Sequence, residues 1–202
     1  MSRPPWVDQF RESLDNGGVK PIIVAPQLFP TPPDLAAQVV DMACIRPTDR
    51  ILEPSAGTGA LLDWLPDPEG TLSFDVVAVE LNVELCEALN GKFNYHAPPL
   101  AVKIVQGDFL ELTPRDLLRS TKFDRVIMNP PFVNGADIKH IRHAQTFLRV
   151  GGVLVSICAN GPRQQREFRD AAGTVAWIPL PPGSFKASGT DVNAAIVVMG
   201  AR

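Results

Sequence analysis

The stretch Arg50-Ile51-Leu52-Glu53-Pro54-Ser55-Ala56-Gly57-Thr58-Gly59-Ala60-Leu61 runs from a buried strand through a glycine turn into a helix start. Gly57 and Gly59 let the backbone turn sharply and let a ligand approach closer than a Cβ would permit. A helix start after such a turn leaves free N–H groups directed at it. The spacing is not the Gly-x-Gly-x-x-Gly of dinucleotide binders, because Leu62 stands where the third glycine would be. A Gly-Lys-Ser/Thr phosphate loop is absent as well.

Outward from this turn the chain alternates. Short apolar, β-branched runs at 50–52, 76–81, 102–105, 125–128 and 153–159 read as buried strands. Helical patterns separate them, clearest at 83–92, 137–150 and 162–171. A further helix opens at Asp34, with Leu35, Ala36, Val39, Val40 and Ala43 at helical spacing and Pro32 and Pro33 in its first turn. Strand–helix alternation of this kind builds a parallel sheet covered on both faces. The last two strands, 175–180 and 194–199, are joined by a Pro/Gly/Ser-rich loop without a helix, so they pair as an antiparallel hairpin. The expected fold is α/β and Rossmann-like: a doubly wound, mostly parallel seven-stranded sheet ending in that hairpin. Residues 1–33 read as an irregular arm with a short helix at 7–14, and 34–202 as one domain.

Composition narrows the class. With 202 residues the chain suits one sizeable core, and 45% hydrophobic with 20% charged residues is a globular balance. No apolar run approaches the roughly 20 residues that span a bilayer, and the first ten residues lack a signal peptide's apolar core, so a cytoplasmic location is expected. Cys44, Cys86 and Cys158 form no Cys-x-x-Cys pair and read as buried free thiols. His140 and His143 could share a helix face, but no third ligand lies nearby, so no metal is expected. The net charge of −3 gives no overall pull toward nucleic acid. Between Lys139 and Lys186, however, Arg142, Arg149, Arg163, Arg166 and Arg169 are opposed only by Glu167 and Asp170. That stretch is either a phosphate-tracking surface or a set of solvated helix faces.

The strand ends carry the chemistry. The second strand closes on Glu80-Leu81-Asn82, where a carboxylate can accept from both hydroxyls of a ribose or stabilise a helix N-terminus. The third closes on Asp108-Phe109, where the carboxylate can accept from an adenine amino group while the ring packs on the base. Glycine loop, ribose acceptor and base acceptor on successive strands make a coherent adenosine site. The fourth strand ends in Asn129-Pro130-Pro131-Phe132. An aromatic amine attacks poorly because its lone pair is delocalised into the ring. Two acceptors on its N–H groups, the Asn129 side-chain oxygen and the Pro130 carbonyl, draw it toward tetrahedral geometry, with the prolines restricting the backbone. Phe132 supplies a face for the substrate ring.

These blocks, in this order from about Gln27 to Met199, resemble the amino-methylating branch of the class I S-adenosylmethionine-dependent methyltransferases, especially the adenine-N6 enzymes. Phe29-Pro30-Thr31-Pro32 resembles the family's segment that closes over the methionine part of the cofactor, which places Thr31 at the cofactor. Glu53, Pro54, Ser55, Ala56, Gly57 and Gly59 match its glycine loop. Glu80 with Leu81 and Asn82 matches its ribose site, and Asp108 with Phe109 its adenine site. Asn129 to Phe132 is similar to its catalytic tetrapeptide, in which Asn129 also borders the cofactor. Phe185-Lys186-Ala187-Ser188-Gly189-Thr190 resembles a loop whose aromatic packs on an extruded base, although Phe185 could equally cap the sheet edge. The resemblance implies S-adenosylmethionine as cofactor and adenine N6 in DNA or RNA as substrate. A protein glutamine amide is the alternative substrate, and a non-catalytic binding protein the alternative class. DNA enzymes of this branch usually add a domain that reads sequence, whereas this chain ends at the last strand. Little sequence readout, a structured RNA, or a protein partner for target recognition is therefore expected.

Overall fold

Pro32 and Pro33 set the entry to helix α1 (Pro33–Met42), since a proline in the first turn gives up only an N–H that has no intrahelical partner. Its buried stripe of Leu35, Ala36, Val39 and Val40 lies against the sheet. The computed structural model describes residues 29–66, 74–93, 100–117 and 122–201. The arm before Phe29, with its expected helix at 7–14, lies outside them.

Seven strands follow: β1 (Arg50–Glu53), β2 (Phe74–Glu80), β3 (Leu100–Gln106), β4 (Phe123–Met128), β5 (Leu148–Ala159), β6 (Thr174–Pro179) and β7 (Ala194–Gly200). Between them stand α2 (Val83–Phe93), the short α3 (Pro114–Leu117), α4 (Ala136–Gln145) and α5 (Pro162–Gln164), which continues as a π turn at Gln165–Arg169. The sheet order is β3-β2-β1-β4-β5-β7-β6. Strands β1 to β5 pair in parallel, and β7 runs antiparallel to both neighbours. The doubly wound sheet with its terminal hairpin is thus present. Chain order runs outward from β1 through β2 to β3 on one side and through β4 to β5 on the other. The crevice at the carboxyl ends of β1 and β4 is the topological switch point, the ordinary ligand position in such sheets.

Both faces are apolar, and adjacent residues divide between them with period two. Ile51, Ala78, Ile127 and Ile196 pack on the side of α1 and of Leu89 and Phe93 from α2. Leu52, Val79, Met128 and Val197 pack on the side of Ile141 and Ala144 from α4 and Phe168 near α5. This explains why the strands read as unbroken apolar runs.

Two local readings are corrected. The helix expected at 137–150 ends at Gln145, and Leu148 already pairs with Phe123. Phe147 and Leu148 suit a helix stripe and a buried strand equally, and the N–H of Phe123 donates to the Phe147 carbonyl at 2.8 Å. Strand β5 crosses a register shift and regains pairing at Val153, through Gly151 in the left-handed region (φ +75°). Cys44, expected to be buried, is exposed, whereas Cys86 and Cys158 are buried. The Cys44 carbonyl does the structural work there, accepting from the buried Arg125 guanidinium, which also pairs with Asp49 at 3.2 Å.

Asp137 organises the ground next to the crevice. Fully buried, it accepts from the Ala159 N–H and the Gln164 amide, both at 3.0 Å, joining the start of α4 to the end of β5 and to α5. Among the described residues no helix is long and apolar enough to cross a membrane.

Candidate active site

The carboxyl ends of β1 to β4 open on one cavity of about 740 Å³. Its walls include Thr31, Glu53 to Thr58, Glu80 to Asn82, Asp108, Phe109, Asn129 to Phe132 and Phe185. Of the expected site residues, Gly59 and Lys186 are not in the wall.

Gly57 and Gly59 both adopt positive φ, at +54° and +75°. A Cβ on Gly59 would stand 2.8 Å from Leu89 Cδ2 and 2.9 Å from Phe93, so this glycine lets the loop seat against α2. The helix expected after the loop is a single 3₁₀ turn, Leu62–Trp64. Pro66 and Pro68 follow immediately and deprive any continuation of two backbone donors.

The Glu80 carboxylate spans the crevice. It accepts from the Gly57 N–H at 2.8 Å with one oxygen and from the Asn82 N–H at 2.9 Å with the other. The Asn82 side chain in turn caps α2 by accepting from Leu85 N–H at 3.0 Å. Each carboxylate oxygen keeps a lone pair that a hydroxyl could use, so these backbone contacts leave room for a ribose.

Glu53 is the electrostatic anomaly. It is 2% exposed, and its Oε2 has no hydrogen-bond partner among the described residues. Burial pushes its carboxyl well above the usual range, Asp63 adds to the rise, Lys92 opposes it and Glu80 adds again. Lys92 is itself engaged beneath the loop, 2.6 Å from an Asp63 oxygen and 3.2 Å from the Thr58 carbonyl. An orphaned acid at the wall of a cavity fits a bound cation.

Asp108 is exposed and caps the turn Phe109–Glu111 through Leu110 N–H at 2.9 Å. The Phe109 ring, 3% exposed, lines the cavity and is engaged by His143 and Phe147, with both centroids at 4.9 Å. His140 also lines the cavity, and sequence reasoning weighed it only as a metal ligand. Its Nδ1 lies 2.8 Å from the Ala136 carbonyl, to which it donates, and burial holds its pKa below the usual histidine value. Its position on the first turns of the helix after Asn-Pro-Pro-Phe was the available signal. Among the described residues no cluster could hold a metal ion.

At the end of β4 the Asn129 amide nitrogen donates to Thr31 Oγ1 at 3.0 Å. Thr31 is 7% exposed, and the neighbouring Pro30 carbonyl accepts from Ser188 Oγ at 2.6 Å. The segment before α1 is therefore fastened to both the β4 turn and the β6–β7 loop. Phe132 stands edge-on to Phe185, with centroids 6.4 Å apart and planes at 83°. Phe185 is 1% exposed, so it backs Phe132 and offers no open face of its own for a base. Lys186 is exposed on the adjoining loop. Beyond Phe132, two consecutive left-handed residues, Asn134 (φ +56°) and Gly135 (φ +74°), turn the chain into α4.

Known proteins share these features. The profile of the methyltransferase small domain family matches residues 31–178. The ribosomal RNA small subunit methyltransferase A of Geobacter metallireducens is 42% identical over 82 residues, 41% of this chain and 27% of that protein. The chain thus spans well under half the length of that relative. A class I S-adenosylmethionine-dependent methyltransferase structure from Listeria monocytogenes superposes with a TM-score of 0.70 at 17% identity, over 96% of this chain and 68% of that one. The methyltransferase subunit of a type I restriction-modification system from Streptococcus thermophilus gives 0.70 at 17% identity, over 88% and 46%. With the family match covering most of the chain on this fold, the chain belongs to the methyltransferase small domain family, and its cofactor is S-adenosylmethionine.

Proposed function

We propose that the protein methylates an exocyclic amino nitrogen, with adenine N6 in DNA or RNA as the substrate. The observation that carries this reading is that Asn129 to Phe132 line the same cavity as Glu53, Gly57 and Glu80. The residues fit the cofactor. Glu53, with its unpartnered oxygen, would hold the ammonium group, Glu80 the ribose hydroxyls, and Asp108 with Phe109 the adenine. Leu81, Pro54, Ser55 and Ala56 complete the walls. The bound cofactor supplies a methyl group on a sulfonium.

The chain's own work is positioning and charge. Asn129 Oδ1 and the Pro130 carbonyl accept the two N–H groups of the amine and pull its lone pair out of conjugation. Phe132, braced by Phe185, stacks on the substrate ring. A strong base is unnecessary, since a nitrogen that has gained a methyl carries positive charge and is itself acidic. With cofactor and substrate filling the cavity, the exclusion of water would magnify these oriented dipoles.

The polymer would lie across the exposed cations of α4 and α5. Lys139, Arg163, Arg166 and Arg169 are exposed and have no ionic partner among the described residues, whereas Arg142 pairs with Glu167. A ribosomal RNA relative adds support for nucleic acid. An adenine inside a duplex would have to be flipped out to reach Asn129.

The test is transfer of labelled methyl to matched single-stranded DNA, duplex DNA and RNA. Label on adenine N6, reduced about 10²- to 10³-fold by Asn129→Ala, is the expected result. Cofactor binding without label on any nucleic acid would overturn it and move the target to a protein glutamine amide or to a complex with a partner.

A further inference from the structure

A carboxamide has nearly the same shape after a half-turn about its last torsion, which exchanges the oxygen and the NH₂ group. Only one of these states can serve an amine: with NH₂ turned inward, donor faces donor. Something must choose between them, and the Asn129 side chain makes one hydrogen bond among the described residues, Nδ2 to Thr31 Oγ1 at 3.0 Å.

Resting on the amine-methylating reading above, we infer that Thr31 is a positioning residue that turns the Asn129 oxygen to the substrate and does so fully only with cofactor bound. A hydroxyl carries one proton and two lone pairs, so alone it could accept from Nδ2 or donate to Oδ1. No described residue accepts the Thr31 proton, and Thr31 lines the cavity in which the cofactor would sit. The carboxylate of the cofactor's amino-acid moiety is an acceptor of the right class for it. Once that proton is given away, the hydroxyl can only accept, and a flipped carboxamide would set Oδ1 against a lone pair. The choice is then made by Thr31 and read out at Asn129. The framework keeps the two groups in register: Thr31 is 7% exposed, and Ser188 anchors Pro30 beside it at 2.6 Å.

The experiment compares wild type with Thr31→Val, which keeps the shape and removes the hydroxyl, and Thr31→Ser, which keeps the hydroxyl. Thr31→Ala serves if the valine variant does not fold. The Asn129 side-chain NH₂ signals, identified by their loss in Asn129→Ala, are followed by nuclear magnetic resonance as S-adenosylhomocysteine is added. The expected result is a marked shift in wild type and Thr31→Ser that is absent without the hydroxyl. An unchanged response in Thr31→Val would overturn the inference. The second readout is turnover at saturating cofactor and substrate. Loss of one hydrogen bond predicts about a tenfold fall in kcat for Thr31→Val, rescued in Thr31→Ser. The same substitution should cost nothing further in the Asn129→Ala background. An equal proportional fall in that background, or a change confined to cofactor affinity, would also overturn it. The magnetic-resonance arm needs no methyl acceptor, so a failure of the adenine reading is seen separately, as absent turnover in wild type.

Discussion

Glu53 sits in the wall of the cavity with its charge unpaid for. An acid whose pKa is raised on folding keeps its proton after the unfolded chain has lost it. Stability therefore falls as pH rises from the ordinary value of 4.5 toward the elevated folded one, and stays low above it. Glu53→Gln removes that penalty. The cofactor-free variant should melt at a higher temperature than wild type at pH 8, with the difference vanishing below pH 4. Cofactor affinity should move the other way, weakening about tenfold as a charge-assisted contact is lost. Scanning calorimetry and titration calorimetry check the two halves, and a variant that neither gains stability nor loses affinity would remove Glu53 from the cofactor site. The Glu53 position was legible in the sequence, as the residue opening the glycine turn. Its orphaned oxygen was not, because solvation is decided by neighbours such as Asp63 and Lys92, 10 and 39 residues away.

Among the elements, the glycine loop and the segment before α1 set the geometry of the crevice. Gly59→Ala should destabilise the protein by about 2–4 kcal/mol, the sum of a left-handed Cβ and an overpacked contact with Leu89 and Phe93. Chemical denaturation measures this, and a cost near zero would mean that the loop is free to shift. The buried pair of Arg125 and Asp49 ties the α1–β1 connection to β4. Asp49→Ala leaves a guanidinium of only 5% side-chain exposure with carbonyl acceptors but without its counter-charge, at a cost of about 3–5 kcal/mol, visible as a lowered denaturation midpoint. The strands and α1 could be read from periodicity and flanking prolines. The early end of α4 could not, because Phe147 and Leu148 satisfy either period until Phe123 claims their backbone.

At the scale of the molecule, Asp137 binding Gln164 and Arg142 pairing with Glu167 hold α4 against α5 and its π turn, and Lys139, Arg163, Arg166 and Arg169 are exposed on these adjoining elements. A polymer bound there releases counterions, so its affinity falls steeply with salt. Arg163→Ala with Arg166→Ala should weaken nucleic-acid binding at low salt and reduce the slope of log K against log salt by about 2, leaving cofactor affinity unchanged. Fluorescence anisotropy across a salt series checks this, and an unaltered slope would take the α5 arginines out of the interface. The linear order of the cations was plain in the sequence. The pairing of Arg142 with Glu167 was not, because it depends on how the turn after α5 lies against α4.

Periodicity, turn chemistry and motif spacing are local properties of the chain, so the fold class, the seven strands, the glycine turn and the Asn-Pro-Pro-Phe turn could be read directly from the residues. The same reading sets Glu53, Glu80, Asp108 and Asn129 at one edge of the sheet, since parallel strands present their carboxyl ends together. What each of these groups faces depends on the three-dimensional packing. Phe185 is buried behind Phe132, the Phe109 ring is engaged by His143 and Phe147, His140 joins the wall, and Thr31 reaches Asn129 across 98 residues. Burial and hydrogen-bond partners arise from packing between distant segments, and no local pattern encodes them.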